Sequence, residues 1–295
     1  MQRLEVLAPA GNFACLRAAI QGGADSVFLG VGELNMRASS NTNFTVETLP
    51  EAVALCHEAG VKLYLTVNTI VYNEELAAVR ETLELAKRTG VDAIIASDQA
   101  VIAMAHDLGL RIHLSTQLSI SNTESLKFYS HWADVAVLAR ELSIEQVRKI
   151  TDDIRTQNIC GPSGEPIKIE IFCHGALCMA ISGKCYLSLH EANRSANRGA
   201  CVQICRRSYE LRDTESDNAI EVDNEYLMSP KDLKTIHFLN KIADAGVSIL
   251  KIEGRARSPE YVLTVVKCYR EAADALANGT WDEAQIADWD ARLAS

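Results

Sequence analysis

The sequence lacks any hydrophobic run close to the roughly 18 residues that a membrane-spanning helix needs. Its N-terminal residues, MQRLEVLAPAGN, also lack the apolar segment of a secretory signal. We therefore predict a cytoplasmic protein that has no membrane partner. The composition, 48% hydrophobic and 23% charged over 295 residues, supplies enough apolar side chains for a sizeable core in one large domain or two small ones.

Sequence motifs of two hydrolase classes are also missing. His57 and His190 are each followed by Glu, but neither begins the H-E-x-x-H motif of zinc proteases, and no G-x-S-x-G motif is present. A protease needs an activated nucleophile, or a metal-bound water with a positioned base. The sequence contains no pattern of that kind, and a convergent active site without a known motif stays open as the alternative.

An excess of positive charge is absent as well. The sequence has 29 Lys and Arg residues against 39 Asp and Glu residues, which gives a net charge of −10. Taken whole, so acidic a chain is not a nucleic-acid-binding surface. The charge is uneven, however, since residues 182–212 contain six cations and two anions. We call this segment the basic window. It is either a site for phosphate contacts or a solvated basic face.

One local pattern recurs along the chain: a helical stretch, a glycine that ends it, and a short apolar or β-branched run. Strands that alternate with helices are typical of parallel β/α units. Eight such strands in this length favour an α/β fold of the (β/α)8 TIM-barrel-like type, with a doubly wound open sheet as the alternative. The predicted strands are Leu4–Ala8, Ser26–Gly30, Lys62–Asn68, Ala93–Ala96, Arg111–Gln117, Asp134–Leu138, Lys168–Phe172 and Ser248–Ile252.

Several predicted strands alternate polar and apolar residues, as expected when one side faces helices and the other lines a barrel interior. Barrel interiors are mostly apolar, so polar interior positions indicate a functional site at one mouth. The alternative is that these residues face solvent on an open sheet. The interior set comprises Tyr64, Thr66 and Asn68; His113, Ser115 and Gln117; Glu170, Phe172 and His174; and Lys251, Glu253 and Arg255.

The segment 175–246, between the seventh and eighth predicted strands, is too long for an ordinary connection. We predict a cysteine-rich insertion there, within a barrel domain of residues 1–279, because loops at the carboxyl ends of barrel strands usually carry function. Residues 280–295 begin another helix in which Trp281 and Trp289 need a packing partner. We expect this last segment to be the start of a truncated C-terminal extension.

Nine cysteines are many for a cytoplasmic chain, in which disulfides rarely persist. Four of them have the spacing C-x6-C-x15-C-x3-C, and four thiolates can bind an iron–sulfur cluster or a tetrahedral zinc ion. Structural zinc sites favour close pairs on both sides, and only the second pair here is close, so the spacing favours iron–sulfur. A third interpretation is that the thiols bind no metal. The four are Cys178, Cys185, Cys201 and Cys205.

The stretch from Glu170 to Ser188, EIFCHGALCMAISGKCYLS, resembles the signature of the collagenase-like peptidase U32 family. Further similarity lies in LAPAG at residues 7–11, ARELS at residues 139–143 and KIEGR at residues 251–255, so the resemblance spans most of the chain. It implies a TIM-barrel-like domain that holds a 4Fe–4S cluster on the four spaced cysteines, with zinc as the alternative cofactor.

Although the family name indicates a protease, the resemblance implies that its better understood branches are oxygen-independent hydroxylation proteins. The resemblance is greatest to the branch that hydroxylates the wobble uridine of tRNA at carbon 5, and this branch implies prephenate as the oxygen donor. We therefore expect an RNA hydroxylase whose partners are tRNA and a small dicarboxylate; the sequence specifies no oligomeric state. The alternatives are a collagenase-like peptidase, hydroxylation of a ribosomal RNA cytidine, and a non-catalytic module that binds zinc and RNA.

Candidate residues for binding the small substrate lie near the predicted strand ends. Prephenate is a dicarboxylate, and arginine pairs with carboxylates in a bidentate manner. Each arginine could instead belong to a structural ion pair, and the amides of Asn and Gln are further candidates. The substrate-binding set is Arg37, Asn68, Gln117, Arg140 and Arg255.

Proton transfer and RNA contacts call for two further sets. His174, at the end of the seventh strand, is our choice for proton transfer, with a buried structural histidine as the alternative. The catalytic set is His174, Glu170, Lys251 and Glu253. The set expected to contact phosphates is Lys184, Arg194, Arg198, Arg206 and Arg207.

Overall fold

The computed structural model describes residues 3–37, 44–216, 218–222 and 227–294. Its strands, numbered in chain order, are β1 (Glu5–Pro9), β2 (Ser26–Gly30), β3 (Lys62–Val67), β4 (Ala93–Ala96), β5 (Ile112–Leu114), β6 (Val135–Val137), β7 (Lys168–Gly175), β8 (Tyr209–Arg212), β9 (Ala219–Val222), β10 (Leu233–Lys234) and β11 (Ile249–Ile252). Its helices are α1 (Phe13–Gln21), α2 (Leu49–Glu58), α3 (Leu76–Thr89), α4 (Gln99–Asp107), α5 (Thr123–Ser130), α6 (Ile144–Thr156), α7 (Leu187–Ala192), α8 (Leu239–Asp244), α9 (Pro259–Asn278) and α10 (Glu283–Ala294).

Eight parallel strands form a closed barrel in the order β7, β11, β1, β2, β3, β4, β5, β6. Hydrogen bonds between β6 and β7 close the ring, with Ala136 opposite Ile169. The predicted TIM-barrel-like fold is therefore confirmed, and this closure excludes the open-sheet alternative. Each predicted strand is present, although β5 is shorter than expected because a 3-10 turn at Thr116–Leu118 follows it directly.

Local sequence signals explain where the helices begin and end. The side chains of Asn12, Asp98 and Asn122 accept hydrogen bonds from backbone N–H groups in the first turns of α1, α4 and α5. Ser258 caps α9 in the same way, directly before a proline. Gly90 ends α3 in the left-handed conformation at φ 80°, which glycine adopts without steric cost.

Apolar side chains occupy two separate layers. The larger layer lies between the barrel wall and the surrounding helices. The smaller layer fills the barrel interior, so the lumen is a packed core rather than a pore. It consists of Leu7, Phe28, Tyr64, Ala93, Ile95, Val135 and Ile249.

The alternation predicted for the seventh strand breaks near its end. Phe172 lies opposite Lys251, but His174 lies opposite Ile252, so β7 carries an extra residue at this point. Such a β-bulge reverses the face onto which the following side chain points. The expectation that His174 faces the barrel interior is therefore wrong, and its ring packs against α9 outside the wall.

The segment 175–246 is an insertion only in part. It contains α7, the antiparallel pair β8 and β9, and β10, which pairs antiparallel with β7. Its final portion contributes α8, which lies against α6 and α9 and completes the seventh β/α unit. The described cysteine-bearing portion therefore follows directly from the carboxyl end of β7.

Helix α10 packs against α9 rather than projecting from the barrel. Trp289 is buried and donates a hydrogen bond to Glu271 at 2.9 Å, and its ring lies 5.5 Å from that of Trp281. The two tryptophans thus find partners in each other and in α9. Among the residues that the structure describes, no helix is long and apolar enough to cross a membrane.

Candidate active site at the carboxyl ends of the barrel strands

A cavity of about 90 Å³ opens at the carboxyl ends of the strands, and we call it the upper cavity. The loops that follow β2, β3, β5, β6, β7 and β11 each contribute to it, as the barrel geometry requires. All five predicted substrate-binding residues line it: Arg37, Asn68, Gln117, Arg140 and Arg255. Three further predicted site residues line it as well: Lys251, Glu253 and Cys178.

Arg255 is held inside the upper cavity by uncharged groups. Its Nη1 donates to Asn35 Oδ1 at 3.0 Å and to Thr66 Oγ1 at 2.9 Å. Gly30 makes room for this arrangement, because a Cβ there would lie 2.7 Å from Arg255 Nη1. Burial and the neighbouring Arg37 lower the pKa of Arg255 to about 10, and Glu253 opposes that shift. Arg255 remains a cation at neutral pH.

Arg37 and Glu253 form an ion pair across the cavity wall, with Nη2 to Oε1 at 2.7 Å. Burial acts to raise the pKa of Glu253, but Arg37, Arg140 and Arg255 outweigh it and the pKa is lowered. Glu253 is therefore an anion at neutral pH. As an acceptor it orients Arg37 and offsets part of the positive charge around it.

Arg140 lies over an aromatic ring. Its guanidinium carbon is 3.9 Å from the ring centroid of Phe172, and its Nη1 donates to the backbone oxygen of Ala176 at 3.3 Å. Its Nε is buried without a hydrogen-bond partner. Such an unpaired buried donor costs free energy unless a ligand or water satisfies it, so Arg140 has hydrogen-bonding capacity left for a ligand.

Two amides also line the upper cavity. Asn68 Nδ2 donates to Gln117 Oε1 at 3.0 Å, and Met36 N donates to Asn68 Oδ1 at 3.3 Å. Ser115 Oγ donates to the same Gln117 oxygen at 3.0 Å. These bonds hold polar groups in fixed positions near the arginines, as a site that orients a small polar substrate requires.

The upper cavity carries surplus positive charge. Lys251 pairs with Glu170, and Arg37 pairs with Glu253. Within the described part of the chain, neither Arg140 nor Arg255 forms an ion pair with a carboxylate. Two cationic arginines without a counter-anion favour a ligand with about two negative charges.

Beneath the upper cavity, Lys251 belongs to a buried network with Glu170 and His113. The predicted catalytic set included Lys251 and Glu170 but not His113. Lys251 Nζ donates to Glu170 Oε1 at 2.6 Å, and His113 Nδ1 lies 3.5 Å from Glu170 Oε2. Burial opposes ionisation of Glu170, but Lys251 and His113 together keep its pKa lowered. Sequence reasoning placed His113 in the interior without assigning it to the site, and the period-two alternation was the signal for it.

His174 lies apart from the upper cavity. Its Nδ1 is 3.4 Å from the hydroxyl of Tyr269, and the Tyr261 ring also packs nearby. Burial lowers the pKa of His174 to about 4; Asp232 opposes the shift, and Lys234 and Arg257 add to it. A buried neutral histidine on the helix side of the wall fits the structural alternative better than proton transfer at this cavity.

The four spaced cysteines are free of disulfides, and Cys205 lies close enough to the other three to interact with them electrostatically. Burial raises the pKa of Cys205, Arg206 opposes this, and the other three spaced cysteines each add to the rise. Burial likewise raises the pKa of Cys178, against Arg140 and Arg37. The donor set, four neighbouring thiols beside cations, fits an iron–sulfur cluster chemically. Among the described residues, however, no three His, Cys, Asp or Glu side chains are arranged as a metal-binding group.

The cations of the basic window divide into two groups. Lys184, Arg194 and Arg207 are exposed at the surface. Arg198 instead pairs with Glu75, and Arg206 pairs with Asp232 at 3.1 Å. Of the five cations predicted to contact phosphates, the structure therefore places the first three at the surface, and the other two hold the insertion in place; Arg212, the sixth cation of the window, is also exposed.

Comparison with known proteins identifies the family of this chain. The profile of peptidase family U32 matches residues 11–295. The chain belongs to this family. The structure of the U32 peptidase Mk0906 is similar in fold, with a TM-score of 0.57 at 10% identity over 88% of this chain and 96% of that one.

Curated relatives within family U32 have two kinds of name. A "Collagenase" of Porphyromonas gingivalis is 57% identical over 99% of this chain and 70% of the relative. "tRNA hydroxylation protein P1" of Bacillus subtilis is 39% identical over 92% of this chain and 63% of the relative. "23S rRNA 5-hydroxycytidine C2501 synthase" of Escherichia coli is 36% identical over 96% of this chain and 41% of its own length. The predicted family is therefore confirmed, and this chain spans only part of each relative.

Proposed function

We propose that this U32 protein is an RNA-modifying enzyme that hydroxylates the wobble uridine of tRNA. A prephenate-like dicarboxylate, bound in the upper cavity, is the oxygen donor. The observation that carries the proposal is the pair of cationic arginines, Arg140 and Arg255, that line one cavity without a carboxylate partner in the described residues. Relatives named for tRNA hydroxylation and for 5-hydroxycytidine synthesis support an RNA base as the target.

The upper cavity suits a dicarboxylate in charge and in polarity. One carboxylate would complete the hydrogen bonding of Arg140, whose Nε has no partner. The other would neutralise Arg255, whose Nη1 donates to the neutral oxygens of Asn35 and Thr66. The amides of Asn68 and Gln117 would meet hydroxyl or carbonyl groups of the same ligand. A neutral or cationic molecule would leave both arginines without a counter-charge.

We further propose that Cys178, Cys185, Cys201 and Cys205 hold a 4Fe–4S cluster beside the upper cavity. Cys178 lines the cavity together with Arg37 and Arg140, so these cations would also face the negative charge of a thiolate-bound cluster. When bound, the cluster would supply one-electron chemistry next to the substrate. The exposed cations Lys184, Arg194 and Arg207 would contact RNA phosphates around the upper cavity.

Nucleoside analysis tests the proposal directly. RNA from a strain that lacks the gene would be digested and analysed by mass spectrometry, with complementation by wild type, Arg140→Gln or Arg80→Gln. Arg80 is the matched control because it is exposed on α3 and does not line the upper cavity. We expect tRNA 5-hydroxyuridine derivatives to disappear and to return with wild type and Arg80→Gln, but not with Arg140→Gln.

Other outcomes of that analysis assign the protein differently. Loss of 5-hydroxycytidine from ribosomal RNA, with tRNA unchanged, would replace the tRNA proposal by the ribosomal one. Unchanged nucleosides in both RNAs would overturn RNA hydroxylation altogether.

Metal analysis tests the cluster separately. Full-length protein purified without oxygen should contain roughly four irons and four acid-labile sulfides per chain. Cys178→Ala should lose them, whereas Cys160→Ala should retain them, because Cys160 lies in the loop before β7, at the opposite end of that strand from Cys178. Stoichiometric zinc in place of iron would contradict the cluster and favour a structural metal module.

Peptidase activity is the second candidate, and the 57% identity to a protein named "Collagenase" favours it. The geometry offers it little support. In the described part of the chain, no serine or cysteine side chain is hydrogen-bonded to a histidine, and no metal-binding group is present. Purified protein that cleaves gelatin, with the activity lost in a single-residue variant of the upper cavity, would establish this function instead.

A further inference from the structure

Three ionisable side chains cross the barrel interior in single file. Lys251 Nζ donates to Glu170 Oε1 at 2.6 Å, and the other carboxylate oxygen, Oε2, lies 3.5 Å from His113 Nδ1. Their exposed fractions are 5%, 0% and 6% in that order. The Lys251–Glu170 contact is a hydrogen bond, whereas His113 Nδ1 and Glu170 Oε2 face each other at ion-pair distance without a hydrogen bond. A small turn of either side chain would close this gap without admitting solvent.

The two ends of this file open on different cavities. Lys251 lines the upper cavity. His113 lines a second cavity of about 540 Å³ at the amino ends of the strands, which we call the lower cavity. Glu170 lines neither cavity and lies between its two partners. The three residues thus connect solvent below the barrel with the site above it.

Stability alone does not explain why these groups are kept in the barrel. The layer around them is apolar, with Phe28, Ile95 and Ile249 among its members. Replacing a buried ion pair by packed apolar side chains is often neutral or stabilising, whereas leaving one charge unpaired is costly. Ionisable groups that persist in such a place are candidates for function.

We propose that His113, Glu170 and Lys251 form a proton path that supplies Lys251 from the lower cavity. The chemical use of the proton rests on the proposed function. Lys251 gives a proton to the substrate, so an Nζ–H bond breaks and a bond from substrate to hydrogen forms. The His113 imidazolium then gives a proton to the Glu170 carboxylate, and the carboxylic acid so formed turns and gives a proton to the amine of Lys251, which restores the Glu170 anion. Water in the lower cavity then returns a proton to His113, and the net change is one proton carried upward.

Charged and aromatic groups surround both ends of the path. At the lower end the Tyr64 ring lies 4.4 Å from that of His113, and Tyr64 donates a hydrogen bond to Glu5. The remaining ionisable groups of the lower cavity are Lys62, Asp92, Arg111, Asp134, Arg155, Glu165 and Lys168. At the upper end Lys251 Nζ lies 4.7 Å from the Phe28 ring centroid, and the ionisable neighbours are Arg37, Arg140, Cys178, Glu253 and Arg255.

One test needs no RNA and no co-substrate. Cyanate carbamylates only the neutral form of a lysine amine, and peptide mass spectrometry measures this for Lys251 across pH in the full chain. Glu170→Gln should speed carbamylation at least about tenfold, because the stabilising anion is gone. His113→Ala should slow the carbamylation of Lys251, because the negative charge of Glu170 then stabilises only the charged form of Lys251. Lys127, on α5, is the internal control and should react equally in all variants.

Chemical rescue tests the lower end. His113→Ala leaves space beside the lower cavity, into which free imidazole can diffuse. Imidazole should restore the wild-type carbamylation profile of Lys251, whereas thiophene, a ring of similar size without nitrogen, should not. Rescue by thiophene would show that only filled space matters, and would overturn the path. An unchanged Lys251 profile in His113→Ala would overturn it as well.

Turnover provides the second readout. If wild type hydroxylates RNA, His113→Ala should lower kcat about a hundredfold with KM unchanged, and imidazole should restore it. His131→Ala, at an exposed histidine after α5, is the matched control. Equal kcat in wild type and His113→Ala would contradict the path. If wild type shows no hydroxylation, the proposed function fails, and the carbamylation profiles alone decide whether the path exists.

Discussion

Arg198 forms a bidentate ion pair with Glu75. Nη1 and Nη2 each lie 2.6 Å from a different carboxylate oxygen, and the guanidinium carbon is 4.0 Å from the Tyr72 ring centroid. Nη1 also donates to the backbone oxygen of Ile70. These contacts tie the cysteine-bearing insertion to the loop after β3. Arg198 is therefore a structural anchor three residues before Cys201.

Arg198→Ala should loosen the insertion. Loss of the bidentate pair and of the contact with Tyr72 should lower the free energy of unfolding by about 1–2 kcal/mol. Iron content should fall as well, because Cys201 loses its anchor. Urea denaturation and iron analysis measure the two effects. Arg194→Ala, at an exposed cation nearby, should change neither; equal losses in both variants would contradict the anchoring role.

The buried pair of Lys251 and Glu170 should be costly to break. Lys251→Met or Glu170→Gln alone leaves one partner without its counter-charge, and each should lower the free energy of unfolding by about 3–5 kcal/mol. The double variant should lose clearly less than the sum of the two. Urea denaturation of all four proteins measures the coupling. Additive losses would show that the two groups do not stabilise each other.

His174 should make the protein less stable in mild acid. Burial lowers its pKa from 6.5 to about 4. Between these two pH values the unfolded chain is therefore protonated at His174, whereas the folded chain is not. The free energy of unfolding should therefore fall as pH drops from about 6.5 to about 4, by up to about 1.4 kcal/mol per pH unit. Below that range the contribution is constant.

His174→Asn isolates this contribution from that of the carboxylates. The difference between the wild-type and variant stability curves should have the stated slope between pH 6.5 and 4 and be flat above pH 7. Chemical denaturation at each pH gives both curves. A flat difference throughout would mean that folding leaves the pKa of His174 unchanged.

RNA affinity should depend on the exposed cations of the basic window. Lys184→Ala, Arg194→Ala and Arg207→Ala should each weaken binding and reduce the slope of log K against log salt by roughly 0.7, the value for one phosphate contact on a single strand. Filter binding of an anticodon stem-loop at several salt concentrations measures the slope. Lys127→Ala, distant in the chain, is the control. An equal loss of RNA affinity in that variant would mean that net charge, rather than contacts made by the basic window, sets the affinity.

Much of the site could be predicted from the sequence because strand ends converge in a barrel. Arg37, Arg140 and Arg255 are far apart in the chain, yet each follows a predicted strand, and all three line the upper cavity. His174 shows where this reasoning stops. A single extra residue in β7 turned it outward, and no local sequence signal marks such a bulge.

The sequence by itself determined the alternation of eight strands with helices, the family and most of the polar residues at the carboxyl ends of those strands, because glycine caps, strand periodicity and motif spacing are local properties of the chain. Closure of the barrel was shown by the pairing of β6 with β7. Only the tertiary structure decided which cations are free for a ligand. Arg198 and Arg206 resemble Arg194 and Arg207 in sequence, but the first two meet carboxylates contributed by distant segments, Glu75 and Asp232. Pairing of charges depends on distances of a few ångströms between remote parts of the chain, and those distances exist only after folding.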